Sequence, residues 1–410
     1  MQNLIKIAVR NLFRYKRRTL LTSSLIAFGV VLVIVFGGLA ISFKTQMVGI
    51  LTDTVLGHLQ VHKKGYVESI DNLPLTLTLS GAELAMLEDR LKKNPYIDAY
   101  SPRIRFGAMI SNYAQTSNVR LTAVYPEMEN ATCPGLIRRM KGDIPIPGQF
   151  VKPGEIILPE NLAKGLSLKV GDEVVLIATN RDGSVNGIPL RVRAVMESVL
   201  GPTGKDGYVH LSDAQTLLRM EQPEIVEVAL RLKRFDRIKS VYASFREEFS
   251  SPQSGEEIHT WEQLSPFASI ARIIDLLIAV VKLILISIVL VSILNIMTMS
   301  VYERISEIGT LAAIGTRPGR ILSMFLVEGL SMGLLSALVG GAAGLGLLYL
   351  MNATRLNFTF GTMQVSLAPS IPAGEVLAVG IIVTLVSVFA SLQPAYKAAR
   401  MEPVDALRHV

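Results

Sequence analysis

Few side chains in this sequence have the spacing that chemistry requires. His58 and His62 stand four residues apart, the interval at which two imidazoles on one helical face hold a metal. They fall, however, in Gly57-His58-Leu59-Gln60-Val61-His62, whose polar–apolar alternation indicates a strand, and no HExxH context surrounds them. They read as an exposed pair, not as metal ligands. His210 and His259 are isolated. The nearest approach to a phosphate-binding loop is Gly201-Pro202-Thr203-Gly204-Lys205-Asp206. It lacks the G-x-x-x-x-G-K-[ST] spacing and the hydroxyl that would hold magnesium. With Cys133 as the lone cysteine, an internal disulfide is excluded, so a domain outside the cytosol must rely on its own core. The sequence therefore predicts no catalytic residue, no metal and no bound cofactor. The remaining chemistry-bearing residues are ionisable groups in or beside long apolar runs: Arg272, Asp275, Lys282, Glu328 and the polar island Tyr302–Arg320.

Those apolar runs set the architecture. Half of the 410 residues are apolar and the mean hydropathy is +0.41, which indicates transmembrane helices together with one sizeable water-soluble domain. The net charge of +7 does not indicate nucleic acid, because Lys6, Arg10, Arg14, Lys16, Arg17 and Arg18 precede the first apolar run with no acid among them. That placement is a topogenic signal. It leads from an interfacial amphipathic helix (1–19) into a first span (20–43) that is uncharged from Leu20 to Ile41 and too long for a cleaved signal peptide. A stalk and second span occupy 271–300, with Lys282 snorkelling to the surface. A third span covers 321–351 and a fourth 376–393. Cations flank these spans at the N-terminus, at Arg304, Arg317 and Arg320, and at Lys397, Arg400 and Arg408. The outer loop 352–375 holds only Arg355. Both termini, the island 301–320 and the tail 394–410 are thus expected inside, and residues 44–270 outside.

The third span carries small residues at four-residue intervals, Gly329, Gly333, Ala337 and Gly341, flanked by Gly340 and Gly344, as required where helices pack closely in lipid. Glu328 lies about two turns into it, where a carboxylate must be protonated or partnered. An interhelical hydrogen bond is the expected role, with proton relay as the rival.

The outer segment mixes two periodicities. Strand alternation occurs at 55–62, 103–110, 119–124, 174–178, 190–195 and 225–232. Helical spacing occurs at Glu83–Lys93, from Ser212 or Asp213 onward, and at Asp236–Phe249. Residues 253–257 read as a linker. The predicted fold is a membrane protein of four transmembrane α-helices with a large α+β extracytoplasmic domain inserted between helices 1 and 2.

The island itself predicts a short helix: Ile305, Ile308, Leu311 and Ala312 share one face, Glu303, Arg304 and Glu307 another, Gly315 stops it and Pro318-Gly319 turns the chain. Such a helix at a membrane surface suits docking of a cytosolic partner, though a plain connector has the same pattern. The string Glu303-Arg304, Glu307-Ile308-Gly309, Leu311, Ala313 and Gly315 resembles the loop after the second span in ABC-transporter permeases of the MacB/LolC–LolE/FtsX superfamily. The stretch from Pro394-Ala395 through Ala398-Ala399-Arg400 and Pro403 to Ala406-Leu407-Arg408 is similar to that family's ending. Glu155 to Val174 resembles a passage of MacB-like periplasmic core domains, a strand, a short helix and a Gly171-Asp172 turn.

The resemblance implies a permease subunit, not an enzyme, in the inner membrane. ATP and magnesium would sit on separate ATPase subunits docked at Glu303, Arg304, Glu307, Ile308, Gly309, Leu311 and Gly315. A second copy or a paralogue would complete the transporter. It further implies mechanical transmission of ATP-driven motion to the outer domain. The missing ATPase domain and the passage Gly57-His58-Leu59-Gln60-Val61-His62 just after the first span look most like the lipoprotein-releasing branch, with lipoprotein or another amphiphile as cargo and a periplasmic acceptor as a further partner. A tripartite export pump for peptides or drugs is the alternative within the class. A division role fits a smaller outer domain. A non-transporting membrane sensor or scaffold is the alternative from another class.

Overall fold

The computed structural model describes residues 16–141, 147–197, 206–220, 224–249, 255–264, 267–354, 356–360, 363–367 and 369–402. The expected interfacial helix up to residue 15, the loop 201–205 and the tail 403–410 lie outside the described residues. The chain divides into two compact units, Met1–Gln46 with Ile273–Val410, and Met47–Arg272.

Among the described residues, four helices are long and apolar enough to cross a membrane: Lys16–Leu51, Phe267–Glu303, Pro318–Ala353 and Ala373–Ala399. The second has 37 residues, about 55 Å at 1.5 Å per residue against a hydrocarbon core of about 30 Å. Its early charges are therefore free to pair: Lys44 Nζ donates to Asp275 Oδ1 at 2.6 Å, and Lys282 Nζ to Glu375 Oε2 at 2.8 Å. Lys282 is thus held by a carboxylate at the start of the fourth helix, where the sequence predicts a simple snorkel.

The first helix runs on to Leu51, past the expected boundary at 43, because Gln46-Met47-Val48-Gly49-Ile50-Leu51 adds no breaker that outweighs the preceding turns. A π-helical turn, Thr52–Leu56, follows directly. Gly57, at φ +69°, ends it. Pro318 opens the third helix at its first turn, so Pro318-Gly319 begins a span where a turn is expected. The fourth helix continues through a buried Pro394 to Ala399. The outer loop contains a hairpin, Leu356–Phe360 antiparallel to Met363–Leu367.

Among its described residues the inserted unit has ten strands: β1 Leu59–Lys63, β2 Ile97–Ser111, β3 Thr116–Val124, β4 Met140–Lys141, β5 Glu155–Pro159, β6 Glu173–Thr179, β7 Val185–Met196, β8 Asp206–His210, β9 Glu227–Leu232 and β10 Glu256–Thr260. β6 pairs with both β2 and β7, so the path β2-β3-β8-β5-β7-β6 returns to β2 and closes. The long β2 leaves this ring at its first half and carries β9, β1 and β10 on its other edge. A large core that includes Ile104, Phe106 and Ile110 of β2 and Val228 and Leu230 of β9 holds the unit together, with a smaller cluster around Phe150, Ile157 and Tyr208.

Helix Gly81–Lys93 starts on a Ser80/Glu83 capping box. Helix Ile238–Phe249 buries Ile238, Val241, Phe245 and Phe249. The passage 155–174 forms β5, helix Glu160–Gly165 and a turn at Gly171 (φ +99°) before β6. Two elements differ from expectation. Glu256 and Glu257 open β10 instead of a linker, and helix Leu211–Leu217 is capped by His210, whose Nδ1 accepts the Ser212 N–H.

Candidate functional site

The second helix stops at Glu303 because Arg304 leaves helical geometry (φ −110°, ψ 17°). The chain resumes at once as helix Ile305–Ala313. Its end is a left-handed cap: Gly315, at φ +89°, donates its N–H to Ala312 O at 3.0 Å, and Thr316 N–H reaches Leu311 O at 3.0 Å. Arg304 does not share the outward face with Glu303 and Glu307. It is only 5% exposed, and its Nη1 lies 3.1 Å from Glu328 Oε2 in the third helix. Its Nε is 3.9 Å from Glu307. The break in the helix is what lets this guanidinium turn inward, and a buried Arg–carboxylate pair then pins the short helix to the third span.

Of the residues the sequence nominates for docking, Ile308 and Gly309 are also buried. Glu303, Glu307, Leu311 and Gly315 face outward, joined by Tyr302 and by Ile314, which is 77% exposed. The expected apolar stripe through Leu311 is therefore not a packed face. The outward surface combines two carboxylates with Tyr302, Leu311 and Ile314, a mixture suited to a protein partner.

The small-residue stripe divides between two neighbours. A Cβ on Gly333 would lie 2.6 Å from Ser387 Cβ, and one on Gly329 2.9 Å from Ser391 Cβ, both on the fourth helix. Ser387 Oγ donates to the Gly329 carbonyl at 2.6 Å. Ala337 sits opposite Gly380. Gly341 is a correction, since a Cβ there would meet nothing within 4 Å. A Cβ on Gly340 would instead lie 2.6 Å from Ala27 O, and one on Gly344 3.0 Å from Ile34 Cγ2, both on the first helix. A strict four-residue repeat drifts about 40° per step, so Gly341 lies about 120° round from Gly329, whereas Gly340 lies about 20° away.

In the outer unit the histidine pair is buried, contrary to expectation: His62 is fully covered and His58 nearly so. Strand register places Glu257 (β10), His62 (β1), Glu227 (β9) and Arg103 (β2) in one row across the sheet. Arg103 Nη1 is 3.1 Å from Glu227, and its Nε and Nη2 hold Glu129 at 2.8 and 2.7 Å. Burial alone would raise the Glu227 carboxyl, but Arg105, His62 and Arg103 together outweigh it and hold it at about 2. No group of three His, Cys, Asp or Glu suited to a metal occurs among the described residues. This row is not legible in the sequence, because its members lie far apart, Arg103, His62 and Glu227 read as exposed strand positions and Glu257 as part of a linker.

Burial, reinforced by the nearby Arg231, lowers His58 to about 4, and its Nδ1 accepts the Leu232 N–H at 3.0 Å. The folded ring stays neutral while the unfolded chain takes up a proton below about 6.5, so stability falls as pH drops from there toward 4. The loss expected from this group is about 3 kcal/mol. Glu227 adds a second loss, spread between its ordinary value and about 2. Thermal unfolding of the whole chain between pH 7 and pH 4 tests this. A His58→Asn variant, which keeps an acceptor for Leu232, is expected to flatten the upper part of the profile. An unchanged profile in that variant would count against the assignment.

Four membrane-crossing helices, a sheet-rich domain inserted after the first, and a pinned surface helix define a polytopic membrane protein with an extracytoplasmic-type domain. Residues 19–248 match the MacB-like periplasmic core domain, and residues 279–403 the FtsX-like permease C-terminal region. The first match alone spans more than half the chain, and the chain belongs to the ABC transporter permeases of this MacB-like, FtsX-like family. It is 26% identical over 342 residues to the lipoprotein-releasing system transmembrane protein LolE of Haemophilus influenzae, covering 78% of this chain and 80% of that one. It is 23% identical over 411 residues to LolC of Neisseria meningitidis serogroup B, covering 95% and 94%. The macrolide export ATP-binding/permease protein MacB of Chromobacterium violaceum is 36% identical over 160 residues, 37% of this chain and 23% of that protein.

Proposed function

We propose that this chain is the membrane subunit of an inner-membrane ABC transporter that releases lipoproteins, with ATP and magnesium bound by separate ATPase subunits. The observation that carries the ATPase assignment is the short helix Ile305–Ala313. It presents Glu307 and Leu311 outward, flanked by the exposed Glu303 and Ile314, while Arg304 ties its start to Glu328. A partner pushing on that surface moves the second and third helices together, because the ion pair leaves little slack between them. The positive-inside pattern supports the reading in which this surface and both termini are cytosolic and the sheet-rich unit is periplasmic. Four spans are too few to enclose a pathway, so two copies, or one copy with a paralogue, form the transporter. The lipoprotein reading is supported by likeness to LolE and LolC along most of their length, whereas the likeness to MacB covers a minor part of that protein. A periplasmic acceptor would receive the cargo.

The reading is tested with the chain and its ATPase partner in nanodiscs, supplied with triacylated lipoprotein and a soluble acceptor. ATP-dependent transfer is the expected result. Stimulation by drugs or peptides alone would move the protein to the export-pump class, and the absence of any ATPase partner would make it a scaffold. Glu307→Lys reverses charge on the exposed docking surface and is expected to abolish ATP-dependent transfer while leaving the protein folded. Normal transfer by that variant would sink the docking assignment.

A further inference from the structure

The two strands of the loop between the third and fourth spans form a sheet of their own. Leu356–Phe360 and Met363–Leu367 pair with each other and with no further strand among the described residues. Their register sets Leu356 opposite Leu367, Phe358 opposite Val365 and Phe360 opposite Met363. Between these pairs stand Asn357 opposite Ser366 and Thr359 opposite Gln364. Alternate strand positions belong to opposite faces, so one face of the hairpin is apolar at every position and the other polar at every position. No Asp, Glu, Lys or Arg occurs from 356 to 374. A two-stranded hairpin is marginal alone in water, and this one needs a surface for its apolar face.

Chain connectivity says which surface. The third span ends at Ala353, three residues before Leu356, a reach of about 10 Å at most. On the other side Pro369 is buried and Ile371 packs against the core of the helical unit. Leu367 therefore lies within about 7 Å of an anchored residue. The hairpin is held beside the ends of two membrane-crossing helices, and those ends are apolar and exposed, at Tyr349 and Leu350 before it and at Leu377 after it. A tyrosine at a helix end, here 79% exposed, marks the headgroup level of a bilayer. Depth is bounded as well. An open hairpin has two edges of unpaired N–H and C=O groups, which hydrocarbon does not tolerate, so it must stay where water and headgroups reach them.

We propose that hairpin 356–367 is an interfacial anchor that lays its apolar face on the acyl boundary of the outer leaflet and its polar face toward water. The occupant is the bilayer and not a protein, because a protein-binding patch carries a polar rim and this face has none. The inference rests on the outer placement of loop 352–375 and is independent of the cargo.

The test uses the full chain in nanodiscs of phosphatidylethanolamine and phosphatidylglycerol with no lipoprotein present, so that an acyl signal comes only from the bilayer. Spin labels are attached at Gln364→Cys or Val365→Cys, adjacent positions on opposite faces. The pair Asn357→Cys and Phe358→Cys repeats the comparison on the first strand, and keeps it if a variant of the other pair fails to fold. Cys133 is buried and stays unlabelled. Relaxation by oxygen, which partitions into lipid, is compared with relaxation by a water-soluble nickel chelate. The oxygen-to-nickel ratio is expected to be about fivefold or more higher at 365 than at 364, and at 358 than at 357. Equal ratios on the two faces overturn the proposal. Labels at 365 and 358 shielded from both reagents overturn it too, since protein would then cover the face. Ser370→Cys, at an exposed position beside the hairpin, checks the leaflet separately. A membrane-impermeant maleimide is expected to reach it from outside intact spheroplasts. Reaction only after lysis would overturn the outer placement, and with it the choice of leaflet, whatever the spin labels show.

Discussion

Replacing Glu328 with alanine is expected to cost the folded chain about 3 kcal/mol, because it takes the nearest carboxylate away from the buried Arg304 guanidinium and leaves the more distant Glu307 at 3.9 Å. Arg304 is 5% exposed and Glu328 3%, and each is the other's close charge partner at 3.1 Å. Removing either half leaves a buried charge without its closest partner, which is more damaging than removing both. Glu328→Gln should be milder, since the amide oxygen still accepts the hydrogen bond. The double variant Arg304→Met/Glu328→Leu is expected to be more stable than either single alanine variant.

Function should separate from stability in that series. The double variant refills the site with apolar volume but no longer fixes where helix Ile305–Ala313 leaves the second span. It is expected to fold, to bind its ATPase, and to hydrolyse ATP without releasing cargo. Thermal unfolding in nanodiscs and the ratio of cargo released to ATP hydrolysed measure the two effects. A double variant with a normal ratio would show that the ion pair only stabilises the fold. A double variant less stable than both singles would contradict the burial argument.

How much of this was legible in the sequence depends on the range of the interaction. The spans, and the stop at Gly315, are written in local runs and in one residue needing positive φ, and the structure has them. The strand–helix–turn passage at 155–174 is legible for the same reason. Arg304 is different. Flanked by Glu303 and followed by Glu307, it has every local mark of a solvated charge, and only a partner 24 residues further on turns it inward. The row from Glu257 through His62 and Glu227 to Arg103 is illegible in the same way, because a strand alternates identically whether its polar face meets water or other charges. β10 escaped notice because an edge strand needs little hydrophobicity of its own when β1 supplies the ladder.

The glycines of the third helix give the last expectation, and it turns on two adjacent residues. Gly340→Ala is expected to destabilise the chain by about 1–3 kcal/mol, because the new methyl group would lie 2.6 Å from Ala27 O and 2.7 Å from Val30 Cβ. Backbone cannot rotate aside as a side chain can, so the first and third helices must separate. Gly341→Ala places its methyl where nothing lies within 4 Å, and it gains the helix propensity that glycine lacks, up to about 1 kcal/mol. Neighbouring substitutions of identical chemistry should therefore shift the melting temperature in opposite directions. Gly333→Ala should follow Gly340, since Ser387 Cβ would stand 2.6 Å away on the fourth helix. Equal effects at 340 and 341 would mean that the third helix is rotated from the face described, and that Gly329, Gly333, Ala337 and Gly341 form the packing stripe after all. Opposite effects would fix the rotation of this helix about its axis, and with it the direction in which Glu328 reaches toward Arg304.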